Sequence, residues 1–307
     1  MNKKMLTIAG SVVFGGMLLS ASAYAAISTD TGYDTYKSAL KNTITLKSVT
    51  PKVALTIKDN GANVADVTST LKVSKADSTM SGTVAIATSG KNQTLDIFKT
   101  GTETVLKSSY SDIYNVSKEN GKDFGKNRKD EATDPQKTAA SKENHDVHTQ
   151  DVEKVFDAIA GNFVNYTTLS TEADGTKDVT FKLSENQISP VLNAAASLAI
   201  KNIGTEKMHK EGMEQSFALD LKNKLPKLET DIKVTNIDVE AKINKDNFIS
   251  GQTANIAVSG KDASGVVHNV TISLSADLSD YNATSPDKID LTGKQVKEAQ
   301  PRQGERD

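Results

Sequence analysis

The residues able to do chemistry in this chain are few and scattered. Its 307 residues include no cysteine and only four histidines: His145, His148, His209 and His268. Without cysteine there is no disulfide, thiolate metal site or thiol nucleophile. His145 and His148, with Asp146 between them, could hold a transition metal if their segment were helical. That segment is strongly polar, and the pair reads as part of a solvated linker. His268 falls in a strand pattern between Val267 and Val270, facing solvent or a strand neighbour, and the sequence offers it no partner for general-base work. Ser111-Asp112 and Ser279-Asp280 pair a hydroxyl with a carboxylate, but these residue types also close turns by bonding nearby backbone amides. Asp59, Asp262 and Asp280 could meet at a calcium ion, yet each sits in an ordinary turn pattern. Gly-Lys occurs at Gly90, Gly121, Gly125, Gly260 and Gly293, never followed by Ser or Thr, so there is no phosphate-cradling P-loop. No G-x-S-x-G elbow, H-E-x-x-H pair or EF-hand spacing occurs. The reading is a protein without catalytic residues, cofactor or metal.

Composition narrows the partners. The formal net charge is −2, and two lysines lie in the first four residues. An acidic chain lacks the basic patch that nucleic acid requires. Only Arg128, Arg302 and Arg306 are arginine, so planar recognition of phosphate or carboxylate is poorly served. Tryptophan is absent and aromatic residues make up 5%, leaving Val, Ile, Leu and Ala to build the core.

Residues 1–25 have the layout of a cleaved export signal. Lys3 and Lys4 form a positive start, Leu6 to Leu19 a short apolar run, and Ala23-Tyr24-Ala25 an A-x-A site that puts the mature start at Ala26. The run is short and interrupted by Gly10, Gly15 and Gly16, a poor membrane span. The expected location is extracellular or cell-wall associated, with no stable membrane span.

The elements that must position any site follow from periodicity. Residues 31–42 predict a helix, with Thr31 and Asp34 at capping-box spacing and Tyr33, Tyr36 and Leu40 on one face. Alternation then predicts strands through Val53, Leu55 and Ile57; through Val67, Leu71 and Val73; through Met80, Val84 and Ile86; and through Leu95 and Ile97. Asp59-Asn60-Gly61, Ser89-Gly90-Lys91-Asn92 and Thr100-Gly101-Thr102 carry turn chemistry between them. Residues 117–149 hold seven positive and seven negative side chains, with Phe124 the one large apolar residue. Such a stretch buries too little surface to offset its ordering entropy and reads as a mobile polar linker.

The second half, 150–296, opens on an amphipathic pattern through Val152, Val155, Phe156 and Ile159, with Gly161 as its stop. Strands are expected over Phe163–Leu169 and Val179–Leu183, turning at Asp174-Gly175. Ser189 and Pro190 suit the N-cap and first position of a helix running to Gly204. A further helix is expected over about 206–225, ending before Pro226. Ile232 and Val234 alternate in one phase, and Ile237, Val239, Ala241 and Ile243 in the other. This predicts a β-bulge near Asn236. Ala254, Ile256 and Val258 should pair with the run from Val270 to Ala276 across the Asp262–Gly265 turn. Residues 297–307 read as a disordered tail. Each half, 26–116 and 150–296, reads as a helix followed by a meander, which leaves open a duplicated unit or one large sheet with helices on one face.

Four phrases resemble a functionally uncharacterised group of exported proteins of Gram-positive bacteria. They are Gly32-Tyr33-Asp34-Thr35-Tyr36-Lys37-Ser38-Ala39-Leu40, Asn186-Gln187-Ile188-Ser189-Pro190-Val191-Leu192-Asn193, Leu225-Pro226-Lys227-Leu228 and Ser279-Asp280-Tyr281-Asn282-Ala283-Thr284-Ser285-Pro286. The likeness spans roughly 31–296 and transfers no catalytic site. The alternation of long meanders with helices is also similar to the bacterial lipoprotein-carrier fold (LolA/LppX-like), a half-barrel whose helices close an apolar cavity, although a lipid-anchored carrier would need a cysteine. The expected fold is α+β: a large twisted antiparallel sheet, half-barrel-like, with helices packed on one face. Leu192, Ala195, Leu198, Ala199, Met213 and Phe217 are the candidates to line a cavity for a lipid-like ligand or an envelope component. The rival expectation is an interaction module with a fully packed core.

Overall fold

The computed structural model describes residues 31–118, 164–194, 197 and 224–298. Twelve strands form one open sheet: β1 (Ser48–Asp59), β2 (Ala62–Ser74), β3 (Thr79–Thr88), β4 (Lys91–Thr100), β5 (Glu103–Ser108), β6 (Tyr114–Lys118), β7 (Thr167–Thr171), β8 (Lys177–Ser184), β9 (Thr230–Ile243), β10 (Ile249–Lys261), β11 (Val267–Ser279) and β12 (Val296–Glu298). Their order across the sheet is β12-β6-β5-β4-β3-β2-β1-β11-β10-β9-β8-β7. Two meanders, β1 to β6 and β7 to β11, are therefore joined where β1 pairs antiparallel with β11. Of the two arrangements the sequence allows, the single large sheet is the one found. All neighbours are antiparallel except β12, which runs parallel to β6.

The period-2 pattern decides the faces. Register carries one apolar surface from Phe181 on β8 through Val239, Ala254, Leu274, Leu55 and Val67 to Ile86 on β3. The opposite face presents Thr180, Glu240, Thr253, Ser275, Ala54 and Thr68 at the intervening positions. A sheet with one buried and one wet face shows this alternation. The expected bulge is present: Ala257 pairs with Asn236 but Val258 pairs with Val234, leaving Thr235 as the extra residue. It lets both phases of β9 bury their apolar side chains on the same face.

Helix α1 (Gly32–Ile44) starts as its sequence predicts, with the Thr31 side chain accepting from the Asp34 backbone N–H. It buries Tyr36, Ala39, Leu40 and Thr43 against β7, β8, β9 and β10. Gly32 permits this close approach, since a Cβ there would lie 2.8 Å from Thr167 Cγ2. A second helical segment opens at Pro190, where the Ser189 hydroxyl accepts from the Leu192 N–H. Residues 164–166, expected in a strand, form a 3₁₀ turn instead, and β7 begins at Thr167. Residues 117 and 118 close β6, and residues 297 and 298 lie in β12. The remainder of 117–149 and of 297–307, the export signal, and nearly all of the helix expected over 206–225 lie outside the described residues.

After β11 the chain crosses the sheet on the face opposite α1. Asn282 donates its N–H to the Ser48 carbonyl, Thr284 to the Ser48 hydroxyl, and Asp287 to the Ser81 hydroxyl. Asp287 also pairs with Lys72 at 2.8 Å. The strap ends as β12 on the far edge. Ser81, Val105 and Val116 share this otherwise polar face and are 0%, 3% and 5% exposed, so the face is dry at these positions.

Candidate functional site

The apolar face holds four buried clusters. Under α1 lie Leu46, Val49, Val179, Ala241, Ile243 and Ile249. Ile57, Phe181, Leu183, Val234 and Val258 form the cluster of the second meander. Val67, Val84, Ile86, Leu95, Ile97 and Leu106 form that of the first. Val53, Leu71 and Ala276 sit between them. The residues that bridge clusters are the less buried ones. Leu55 packs against both meander clusters, Leu274 against the second-meander and middle clusters, and Met80 against the first-meander and middle clusters. Ile256 and Ile272, directly paired, are also only partly buried. Leu55, Leu274, Ile272 and Ile256 thus form a partly exposed aliphatic strip across β1, β11 and β10. It carries no charge and no hydrogen-bonding group.

Between α1 and the sheet lies a partly open cavity of about 40 Å³, lined by Tyr33, Tyr36, Thr167, Val179, Phe181, Val239 and Ala241. Small-molecule sites are typically about 300–1,000 Å³. The space between α1 and the sheet is far smaller than that. The Tyr36 hydroxyl donates to Gln252 Oε1 at 3.0 Å. Burial pushes the Tyr36 phenol up to about 12, partly offset by that hydrogen bond.

Of the residues expected to line a ligand space, Leu192 is described and is partly buried against the second-meander cluster. Ala195, Leu198, Ala199, Met213 and Phe217 lie outside the described residues. His145, His148 and His209 lie outside them too. Ser111 accepts from the Ile113 N–H. Ser279 ends β11, and Asp280, at φ 53°, begins the turn that follows. Both Ser-Asp pairs are therefore turn residues.

His268 corrects the sequence reading, which gave it no partner. Its Nδ1 lies 2.7 Å from Asp59 Oδ2 and its Nε2 lies 3.6 Å from Asp262 Oδ2. The hydrogen bond to Asp59 holds the imidazole above its ordinary value, with Asp262 adding to the effect. The Val266 and Ser264 backbone N–H groups bind the Asp262 carboxyl and hold it below the usual carboxylate range. Sequence reasoning missed the trio because Asp59 is 209 residues away. Only the β1–β11 register brings it alongside. The side-chain partners of the imidazole among the described residues are these two carboxylates. Among the described residues no group of three or more His, Cys, Asp or Glu side chains is placed to hold a metal ion, and no helix is long and apolar enough to cross a membrane.

No protein-family model matches the chain, and no curated protein matches it.

Proposed function

We propose that this is an exported, non-enzymatic binding protein that seats an apolar, lipid-like ligand or an apolar envelope component on the aliphatic face of its open sheet. The observation that carries this reading is the strip of Leu55, Leu274, Ile272 and Ile256. It is uncharged, crosses the neighbouring strands β1, β11 and β10, and is only partly buried, although the clusters beside it are buried. Large aliphatic side chains left part-exposed at the centre of an apolar face favour a partner that removes them from water. The export layout of residues 1–25 and the carrier-like architecture fit the same role, although architecture alone does not assign function.

A second reading is an interaction module with a packed core. The 40 Å³ cavity under α1 favours it, because that interface closes without space for a ligand. Native mass spectrometry of protein purified from its own host, followed by lipid extraction, separates the two. A stoichiometric adduct that extracts into organic solvent supports ligand binding. A bare mass and an empty extract overturn it in favour of the interaction module.

A further inference from the structure

His268 joins three neighbouring strands at one end of the seam. It belongs to β11, Asp59 ends β1, and Asp262 opens the turn between β10 and β11. Its Cα partner on β10 is Gly260. The surrounding contacts are neutral: the Asn60 N–H donates to the Asn269 carbonyl, the Asn269 N–H to Asn60 Oδ1, and Asn60 Nδ2 to the Val267 carbonyl. From β2 the nearest positions are Ala62 and Asn63. Leu228 packs on Gly260, and its neighbours Lys227 and Glu229 make no ion pair with the imidazole. Lys58 and Lys261 occupy the alternate face, where Lys261 pairs with Asp231 at 2.8 Å. Asp59 and Asp262 are thus the charged groups set against His268 among the described residues.

We propose that His268 is an acid-closed clasp that ties the β10–β11 turn to the end of β1 across the seam, and that it loosens when the imidazole loses its proton. With both ring nitrogens protonated, one imidazolium serves two carboxylates. Neutral imidazole keeps one N–H, and the short contact to Asp59 retains it at Nδ1. Nε2 then turns a lone pair toward the Asp262 carboxylate, so the Asp262 arm is the one released. Asp262 itself organises its turn by accepting from the Ser264 and Val266 N–H groups. Releasing it frees a hairpin tip that carries the exposed Val266 and Val267.

The sign follows from the raised imidazole value. The clasp is fully formed below the ordinary histidine value of about 6.5 and is lost as pH rises through the higher folded value. Two measurements on the full chain test it. The first follows the His268 ring by NMR titration; the second follows amide exchange at Ser264 and Val266, corrected for intrinsic rates, with Leu95 on β4 as a distant reference. Wild type should titrate above the ordinary value, and protection at Ser264 and Val266 should fall several-fold between about pH 6 and pH 8.5 while Leu95 stays level. His268→Gln should flatten that profile. Asp59→Asn should lower the titration point. A ring titrating at or below the ordinary value overturns the proposal, and the wild-type titration decides even if a variant fails to fold. Equal pH dependence at Ser264 in wild type and His268→Gln also overturns it.

Discussion

Leucine-to-alanine substitution at two positions of the same sheet face should have different consequences. Leu71 on β2 is 1% exposed and packs in one buried cluster with Val53 and Ala276. Truncating it removes a fully packed side chain and leaves a cavity, at a cost of about 2–5 kcal/mol. Leu274 on β11 bridges two clusters but remains partly in water. Less of its surface is transferred on folding and the site can drain, so Leu274→Ala should cost the ligand-free protein about 1–2 kcal/mol. Urea unfolding of delipidated protein measures both. Ligand-loaded protein adds the discriminating term, since a ligand bound only to the folded state raises stability by mass action. Leu274→Ala should shrink that ligand-dependent increment, and Leu71→Ala should leave it nearly intact. If the two variants cost the same without ligand, and Leu274→Ala retains the full increment, the seam is ordinary core and the reasoning fails.

Other outcomes follow from single contacts. Gly82 sits at φ 153° with Thr70 O only 2.1 Å from where a Cβ would fall. Gly82→Ala must force β2 and β3 apart and should cost about 3 kcal/mol or more; a loss below about 1 kcal/mol in denaturant unfolding would contradict the close approach. Tyr36→Phe removes the hydroxyl that donates to buried Gln252 and should destabilise by about 1–3 kcal/mol. Tyr36 and Tyr281 are both pushed up to about 12 by burial. The folded state therefore keeps protons that the unfolded chain releases near pH 10, and stability should fall from there toward pH 12. Tyr36→Phe should reduce that slope in an alkaline unfolding series, and an unchanged slope would show that Tyr36 titrates normally. N-terminal sequencing of secreted protein should read from Ala26; an intact Met1 on membrane-retained protein would remove the export assignment.

Where alternation was strict, the sequence was a sufficient guide. The strands through Val53 to Ile57 and through Ala254 to Val258 lie where period-2 spacing puts them, with the same residues facing the core. The bulge beside Asn236 was legible because a phase change inside one strand has no other low-cost solution. Thr31 and Pro190 were legible because helix ends leave unsatisfied N–H groups that particular residues answer locally. The missing parts depended on distance along the chain. Nothing near His268 signals Asp59, because their contact needs the central β1–β11 pairing, which no local pattern encodes. The strap from Asn282 to Gln295 has no periodicity, since it is held by single bonds to Ser48, Ser81 and Tyr114 rather than by a ladder. The seam strip was hidden for a different reason. Leu55 and Leu274 look in sequence like any inward strand residue, and alternation says which face a side chain takes but not how deeply it is buried.

The placement of the coverings gives that join its meaning. Among the described residues, α1 lies on the apolar face over β7 to β10, while the strap lies on the opposite face and reaches from Ser48 on β1 to Tyr114 on β6. Each meander is thus reinforced on a different face, and the two reinforcements meet at the seam without overlapping. A twisted sheet of this size must be braced against curling or splitting. Bracing the halves on opposite faces does so on both sides of the join, where Val53, Leu71 and Ala276 are 3%, 1% and 5% exposed. The two edges fit the same logic: β7 has five residues and β12 has three, both short enough to offer little template for pairing with another chain. Among the described residues, strand addition is therefore disfavoured at either edge, and the apolar partner proposed above would be left the part-exposed side chains of the strip.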